Sequence, residues 1–124
     1  MKAFLIFVFA LSLFASDGKK EHHLSKDLSY LELSVEQKEA TKILIKQFRI
    51  DIKAFREFKE QIEKEKEGLI MRDVLSEEAL TKLNLAITQK ASAIESHFLR
   101  QMHTLLTPEQ RKKFARTLEE WEVE

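Results

Sequence analysis

The pentapeptide LTPEQ occupies Leu106–Gln110, and a looser copy, LSVEQ, occupies Leu33–Gln37. In each copy a Ser or Thr stands three residues before a Gln, which is the spacing of a capping box. The hydroxyl accepts a hydrogen bond from a backbone N–H of the first helical turn, and the backbone N–H of the capping residue donates to the Gln side chain. Pro108 stands at the first helical position, where the missing N–H costs nothing. The pattern therefore predicts that a helix begins at each copy.

Two leucines precede the capping residues. Lys38 and Arg111 occupy the positions that a hydrophobic staple would need, so Leu33 and Leu106 are predicted to pack on a neighbouring helix instead. The predicted capping motifs comprise Leu33, Ser34, Gln37, Leu106, Thr107, Pro108 and Gln110.

Apolar periodicity predicts an all-α fold, a long antiparallel helical hairpin with a shorter C-terminal helix. The first helix is predicted from Val35 to about Glu67, with Gly68 as its stop signal. The second follows an N-cap at Ser76 and runs to about Leu105, and the third reads PEQRKKFARTLEEW. The connector GLIMRDVLS is rich in apolar residues, so we expect it to pack at the tip of the hairpin.

The two long helices differ in their apolar faces. The second helix has one narrow stripe at spacings of three and four residues, formed by Leu80, Leu83, Ile87, Ala91, Ile94, Phe98, Met102 and Leu105. The first helix has a stripe formed by Ile45, Phe48, Ile52, Phe55 and Ile62, and further apolar residues that widen it, namely Ile43, Ile50, Ala54 and Phe58. One partner helix cannot bury so wide an arc, so we expect either a second subunit or a working hydrophobic surface there. Asp51 projects from this arc, which predicts that it is paired across an interface or open to solvent.

The other face of the first helix is basic. Lys42, Lys46, Arg49, Lys53 and Arg56 follow one another at spacings of three and four residues. One interpretation is a solvated face with helix-stabilising pairs such as Glu60–Lys64. The other is a basic strip beside exposed apolar residues, which would suit an extended polypeptide. In that interpretation the binding residues are Lys42, Ile43, Lys46, Arg49, Ile50, Lys53, Ala54, Arg56 and Phe58.

Composition narrows the classes of function. Basic and acidic residues number 21 each, which gives a net charge of zero and no general attraction to nucleic acid. The absence of cysteine excludes disulfides, a thiol nucleophile and a cysteine metal site. We find no phosphate-binding glycine loop and no nucleophile motif, and therefore expect a protein that is not an enzyme and needs no cofactor.

The N-terminus predicts export. Residues 1–15 read MKAFLIFVFALSLFA, with a basic start, an apolar middle and small residues near a cleavage site, which is typical of a secretory signal. The stretch is too short to span a bilayer, so no stable membrane anchor is expected. We predict a cleaved signal peptide at 1–15, a flexible polar lead at 16–32 and a helical domain at 33–124.

The signal, the two motifs and the two long helices resemble the LTXXQ-motif family of periplasmic proteins, the Spy/CpxP group with heavy-metal-responsive relatives. The resemblance covers about 27–118. It implies a periplasmic protein whose helical hairpin forms an intertwined, cradle-shaped homodimer. It also implies ATP-independent binding of unfolded or misfolded envelope proteins under stress. Two alternatives within this resemblance are a metal-responsive sensor or buffer, and a regulatory ligand of the ectodomain of an envelope-stress sensor kinase.

Metal binding is where the chain departs from the resemblance. The metal-responsive relatives place a His and a Met one turn apart before the second motif, whereas here Phe98 stands one turn before Met102 and the histidine is His97. At about 100° per residue, the side chains of His97 and Met102 point about 140° apart. We expect no shared site there. The weak metal candidates are His22, His23, His97, Met102 and His103, and Met71 and Met102 are expected to fill the core.

Overall fold

The computed structural model describes residues 28–124, and within that range every regular element is helical. Three α-helices follow one another: α1 at Val35–Ile70, α2 at Glu77–Leu105 and α3 at Pro108–Ala115. Short 3₁₀ helices at Ser29–Leu31 and Leu118–Trp121 flank them. The two long helices pack together and α3 is the shorter C-terminal helix, so the predicted all-α hairpin fold is confirmed.

The contacts divide the described chain into two compact units. The motif unit consists of residues 28–41 and Leu106–Trp121, and the hairpin unit consists of Lys42–Leu105 with Glu122–Glu124. The boundary runs through α1 at Thr41 and follows α2 at Leu105.

Local hydrogen bonds place the three helix starts where the sequence predicts them. Ser34 Oγ accepts from the N–H of Gln37 at 3.1 Å, and the N–H of Ser34 donates to Gln37 Oε1 at 2.9 Å. Thr107 and Gln110 form the same reciprocal pair. At α2, Ser76 Oγ accepts from the N–H of Ala79 at 3.1 Å. Each contact satisfies a backbone donor that the helix itself leaves open.

The predicted end of the first helix is wrong. The helix continues through Gly68 to Ile70, and Gly68 does not take a positive φ. Glycine ends a helix by adopting the left-handed conformation, and without that conformation it is an ordinary, slightly unfavourable helical residue. Leu69 explains the extra length, because it is buried on the helix face that contacts the core.

The connector also differs from its prediction. Ile70, Met71, Val74 and Leu75 are all exposed, and only Leu69 of this apolar run is buried. The expectation that the connector packs at the hairpin tip is therefore wrong for most of its length, as is the expectation that Met71 fills the core.

The hairpin unit is held by one apolar seam. Phe48 of α1 stacks on Phe98 of α2 with ring centroids 4.2 Å apart, and the Nζ of Lys90 lies over the ring of Phe58 at 5.5 Å. The later residue of α1 in these two contacts meets the earlier residue of α2, so the helices run antiparallel. Every member of the predicted α2 stripe is buried or half-buried. Those buried in this unit are Phe48, Ile52, Phe55, Ile62, Leu69, Phe98 and Met102.

The motif unit has a small core of its own. Four of its residues are almost fully buried, namely Leu31, Leu106, Phe114 and Trp121. The ring centroids of Phe114 and Trp121 lie 6.1 Å apart. Folded structure in the described range begins at Ser29, where the 3₁₀ helix brings Leu31 into this core. Glu32 ends that turn with φ 53° in the left-handed region, and its N–H donates to the carbonyl of Ser29.

The two sequence motifs meet in the motif unit, although they lie 73 positions apart. The side-chain amides of Gln37 and Gln110 pair reciprocally: Gln37 Nε2 donates to Gln110 Oε1 at 2.8 Å, and Gln110 Nε2 donates to Gln37 Oε1 at 3.1 Å. Gln110 Nε2 also donates to the carbonyl of Leu31 at 3.1 Å. A capping box accepts either Glu or Gln, but only an amide carries the donors for this pair. The contact, the glutamine clasp, gives a reason for Gln in both motifs.

Candidate binding surface

The basic line lies along the outer face of α1 in the hairpin unit. It consists of Lys42, Lys46, Arg49, Lys53 and Arg56, and all five residues are exposed. At about 100° per residue these positions fall within an arc of about 80° of the helix circumference. Lys46, Lys53 and Arg56 form no ion pair with any residue of 28–124. Five like charges in a row produce a positive surface that a negatively charged ligand would sense.

Arg49 differs slightly from the rest of the basic line. It is exposed, yet neighbouring side chains remove enough water to lower the pKa of its guanidinium by desolvation. An arginine with a lowered pKa remains protonated at neutral pH because its ordinary value is so high. The positive charge of Arg49 is therefore independent of pH around neutrality.

An apolar ridge borders the basic line. It consists of Ile43, Ile50 and Ala54, all exposed, with Ile43 at 68% and Ile50 at 53% relative exposure. The two isoleucines are two helical turns apart, or about 10 Å along the axis. The ridge lies well round the helix from the buried stripe that contains Phe48 and Phe55. Exposed isoleucines on one line, rather than scattered singly, are an unusual surface feature.

The remaining predicted members of the α1 surface have local partners. Phe58 is half-buried beneath Lys90 rather than open like the ridge. Asp51 is half-buried, and its Oδ1 accepts a hydrogen bond from Gln47 Nε2 at 2.9 Å on the solvent side. The helix-stabilising ion pair found on the distal part of α1 is Glu63–Lys66 at 3.5 Å, whereas the expected pair Glu60–Lys64 does not form.

The candidate metal residues do not come together. Met102 is fully buried, whereas His97 and His103 are exposed, so Met102 and His97 point to different environments. No group of three or more His, Cys, Asp or Glu that could hold an ion occurs within residues 28–124. His22 and His23 lie outside the described residues, as do the predicted signal peptide and most of the polar lead.

A groove between α1 and α2 is the feature that the sequence did not reveal. It is open to solvent, has a volume of about 330 Å³, and its lining includes the apolar residues Phe55, Ile87 and Ala91. Glu95 also lines it, and Glu95 Oε1 accepts a hydrogen bond from the N–H of Val123 at 3.1 Å. Val123 and Glu124 complete this part of the lining. Only one signal in the sequence pointed to this contact, the single apolar Val123 between two glutamates in the last three residues.

The arrangement of these side chains is suited to binding. The described residues present an apolar ridge beside a positive line, and a separate groove with a carboxylate acceptor. No helix among them is both long enough and apolar enough to cross a bilayer. The chain matches no protein-family model, no curated protein and no solved structure.

Proposed function

We propose that this chain is a periplasmic, ATP-independent binding protein for unfolded or misfolded polypeptides, and not an enzyme. The observation that carries the proposal is the apolar ridge Ile43, Ile50 and Ala54 lying exposed beside the basic line. Unfolded chains expose apolar side chains along flexible segments, and such segments can follow a straight helix face. The signal-like residues 1–15 and the resemblance described above support export to the periplasm.

The two parts of the surface have different physical roles. Positive charge attracts acidic or partly unfolded chains over distances up to the Debye length, about 10 Å at 0.1 M salt. The isoleucines then bury apolar area, and full burial of one such side chain stabilises a complex by about 1.5–3 kcal/mol. Two partly exposed isoleucines therefore give a weak complex, in the millimolar range unless other contacts add to it, since about 4 kcal/mol corresponds to 1 mM. Weak contact is appropriate for a protein that must release its client without ATP.

A second copy of the chain would strengthen this binding, and we include a homodimer in the proposal. Two copies of the ridge presented together raise avidity without any new type of contact, because the second binding event becomes intramolecular. The resemblance described above supports this part of the proposal, and the dimer contact must lie outside the ridge so that the ridge stays free for the client. Sedimentation of the mature chain at micromolar concentration should give a dimer, and a monomer at all concentrations would contradict it.

The surface is tested by suppression of aggregation of a denatured model protein. We expect Ile50→Gln to reduce suppression at least about twofold at all salt concentrations, because apolar contacts are not screened by salt. We expect the double variant Arg49→Glu, Lys53→Glu to slow capture mainly at low salt. Both variants should keep their helix content, since these side chains are exposed.

Leu85 supplies a matched control on the other helix. It is 52% exposed, nearly the same as Ile50 at 53%, but it belongs to α2, whereas the basic line and the ridge belong to α1. Leu85→Gln should leave suppression unchanged. Equal losses for Leu85→Gln and Ile50→Gln would mean that any exposed apolar residue serves. If Ile50→Gln, Leu85→Gln and the charge-reversed double variant all suppress aggregation as well as the unchanged chain, the client binds elsewhere.

A further inference from the structure

We propose that the groove between α1 and α2 is a binding subsite for an extended peptide segment in which an apolar residue stands beside an acidic one. In the structure the chain's own segment at 122–124 contributes Val123 and Glu124 to the lining of this groove. The inference rests on the proposed function in one respect, that the ligand is a polypeptide. It concerns a different face of α1, however, because Phe55 in the groove lies more than a quarter turn round the helix from the ridge residues Ile50 and Ala54.

The backbone contact shows how a peptide would be recognised. The N–H of Val123 donates to the Glu95 carboxylate at 3.1 Å. Every residue of a peptide except proline carries this N–H, so the contact selects extended backbone rather than one side chain. A carboxylate acceptor makes a stronger hydrogen bond than a neutral one.

The apolar lining of the groove determines which side chain of a bound peptide can enter it. Val123 is half-buried against a lining that includes Phe55, Ile87 and Ala91. The volume of about 330 Å³ remains with Val123 in place, so side chains larger than valine can enter. That volume is at the lower end of the range for ligand pockets, about 300–1,000 Å³.

The positive charge of Lys59 determines which residue is preferred next to the apolar residue of the bound peptide. Lys59 lines the groove, is half-buried and forms no ion pair with any residue of 28–124. Glu124 of the chain's own segment lines the same groove but forms no ion pair with Lys59, which leaves this cation open to an acidic residue of a bound segment. A lysine at that place in the bound segment would be repelled.

The chain's own segment is held weakly enough to exchange. One backbone hydrogen bond and one half-buried valine attach it to the groove. A tethered segment competes with free peptide at an effective concentration of the order of millimolar. A groove that is partly occupied by its own segment binds added peptide with an affinity reduced by the occupied fraction.

The test uses the full chain with Val123→Asp, which should expel the segment from the apolar groove. The probe is a fluorescein-labelled peptide that carries Glu-Ile-Glu between flexible Gly-Ser flanks, and binding is followed by anisotropy. We expect the variant to bind this peptide at least about fivefold more tightly than the unchanged chain, because the competing segment has left. Adding Lys59→Glu should remove that gain, and a Lys-Ile-Lys peptide should bind more weakly.

Leu118→Asp is the matched control. Leu118 is an exposed apolar residue near the same end of the chain and does not line the groove. The Leu118→Asp variant should bind the labelled peptide with the same affinity as the unchanged chain. Equal affinity for Val123→Asp, Leu118→Asp and the unchanged chain would overturn the proposal, and so would a gain that survives Lys59→Glu. In the unchanged chain, excess Glu-Ile-Glu peptide should shift the NMR amide signal of Val123, and an unmoved signal would count against the site even if a variant misfolds.

The outcomes separate this site from the proposed function. Peptide binding in the groove without suppression of aggregation would leave the site standing and remove the chaperone proposal. Suppression of aggregation that depends on Ile50, with no peptide binding to Val123→Asp, would leave the function standing and remove the site.

Discussion

The motif unit and the hairpin unit are stabilised by different chemistry. In the motif unit, hydrogen bonds between side chains far apart in sequence join the two helix starts, above all the glutamine clasp of Gln37 and Gln110. In the hairpin unit, α1 and α2 are joined by an apolar seam that includes the stacked rings of Phe48 and Phe98. Directional polar contacts fix which atoms meet, whereas an apolar seam contributes more free energy and less specificity.

This difference indicates where binding can occur. The motif glutamines have structural partners for both their oxygens and their amide nitrogens, so the repeated motif has little capacity left for a ligand. The outer face of α1 in the hairpin unit presents exposed isoleucines and lysines instead. The repeat that stands out most in the sequence is thus an architectural element, and the less conspicuous helix face is the candidate surface.

The largest expected effect lies in the apolar seam. Phe98→Ala removes one of two stacked rings from a buried position and leaves a cavity between the helices. We expect the free energy of unfolding to fall by about 3–5 kcal/mol, which urea denaturation followed by circular dichroism would measure. A loss below about 1 kcal/mol would mean that the seam collapses to fill the space, and that the hairpin unit does not depend on this stack.

An intermediate effect is expected in the glutamine clasp. Gln110→Glu keeps an acceptor for the N–H of Thr107 but replaces the amide donor, so a carboxylate oxygen meets the carbonyl of Leu31 and Gln37 Oε1. We expect a loss of about 1–3 kcal/mol at neutral pH, the usual cost of leaving part-buried polar atoms without partners. Denaturation of Gln37→Ala, Gln110→Ala and the double variant should give a coupling energy of about 0.5–3 kcal/mol.

Ser34→Ala is the control for the clasp. It removes the side-chain cap of α1 and leaves both glutamines in place, so we expect a loss of about 1 kcal/mol. If Gln110→Glu costs no more than this control and the two alanine substitutions are additive, the clasp contributes nothing beyond ordinary capping.

The smallest expected effect has the opposite sign. Gly68 lies inside α1, and a Cβ added there would meet no atom within 4 Å. Gly68→Ala should therefore stabilise the hairpin unit by about 0.5–1 kcal/mol, because alanine loses less conformational freedom in a helix. Thermal denaturation would measure the gain. A destabilisation would mean that α1 ends at Gly68 in solution, as the sequence predicts.

Local chemistry explains which predictions succeed. The starts of α1, α2 and α3 depend on hydrogen bonds between residues three positions apart, and such bonds form whatever the rest of the chain does. The apolar stripe of α2 follows from helical periodicity alone. The extent of α1 past Gly68 could not be predicted, because the burial of Leu69 outweighs the weak preference of glycine for a helix end.

The candidate surface was predicted only in outline. Periodicity placed Ile43, Ile50 and the basic line on neighbouring faces of α1, but it could not tell a subunit interface from a solvent face. Periodicity groups Phe58 with Ile43, Ile50 and Ala54, yet Lys90 of α2 covers Phe58. Which residue of one helix covers which residue of another depends on packing, and periodicity carries no information about the partner.

The sequence by itself determined the helical class, the three helix starts and the inward faces of the long helices, because these follow from contacts within a few residues of each other. Only the tertiary structure decided that Gln37 meets Gln110, that Ile43 and Ile50 remain exposed, and that Val123 reaches Glu95. Each of these depends on two distant segments arriving at one place. The free energy that brings them there belongs to the packing of the whole unit and is not contained in any short stretch of sequence.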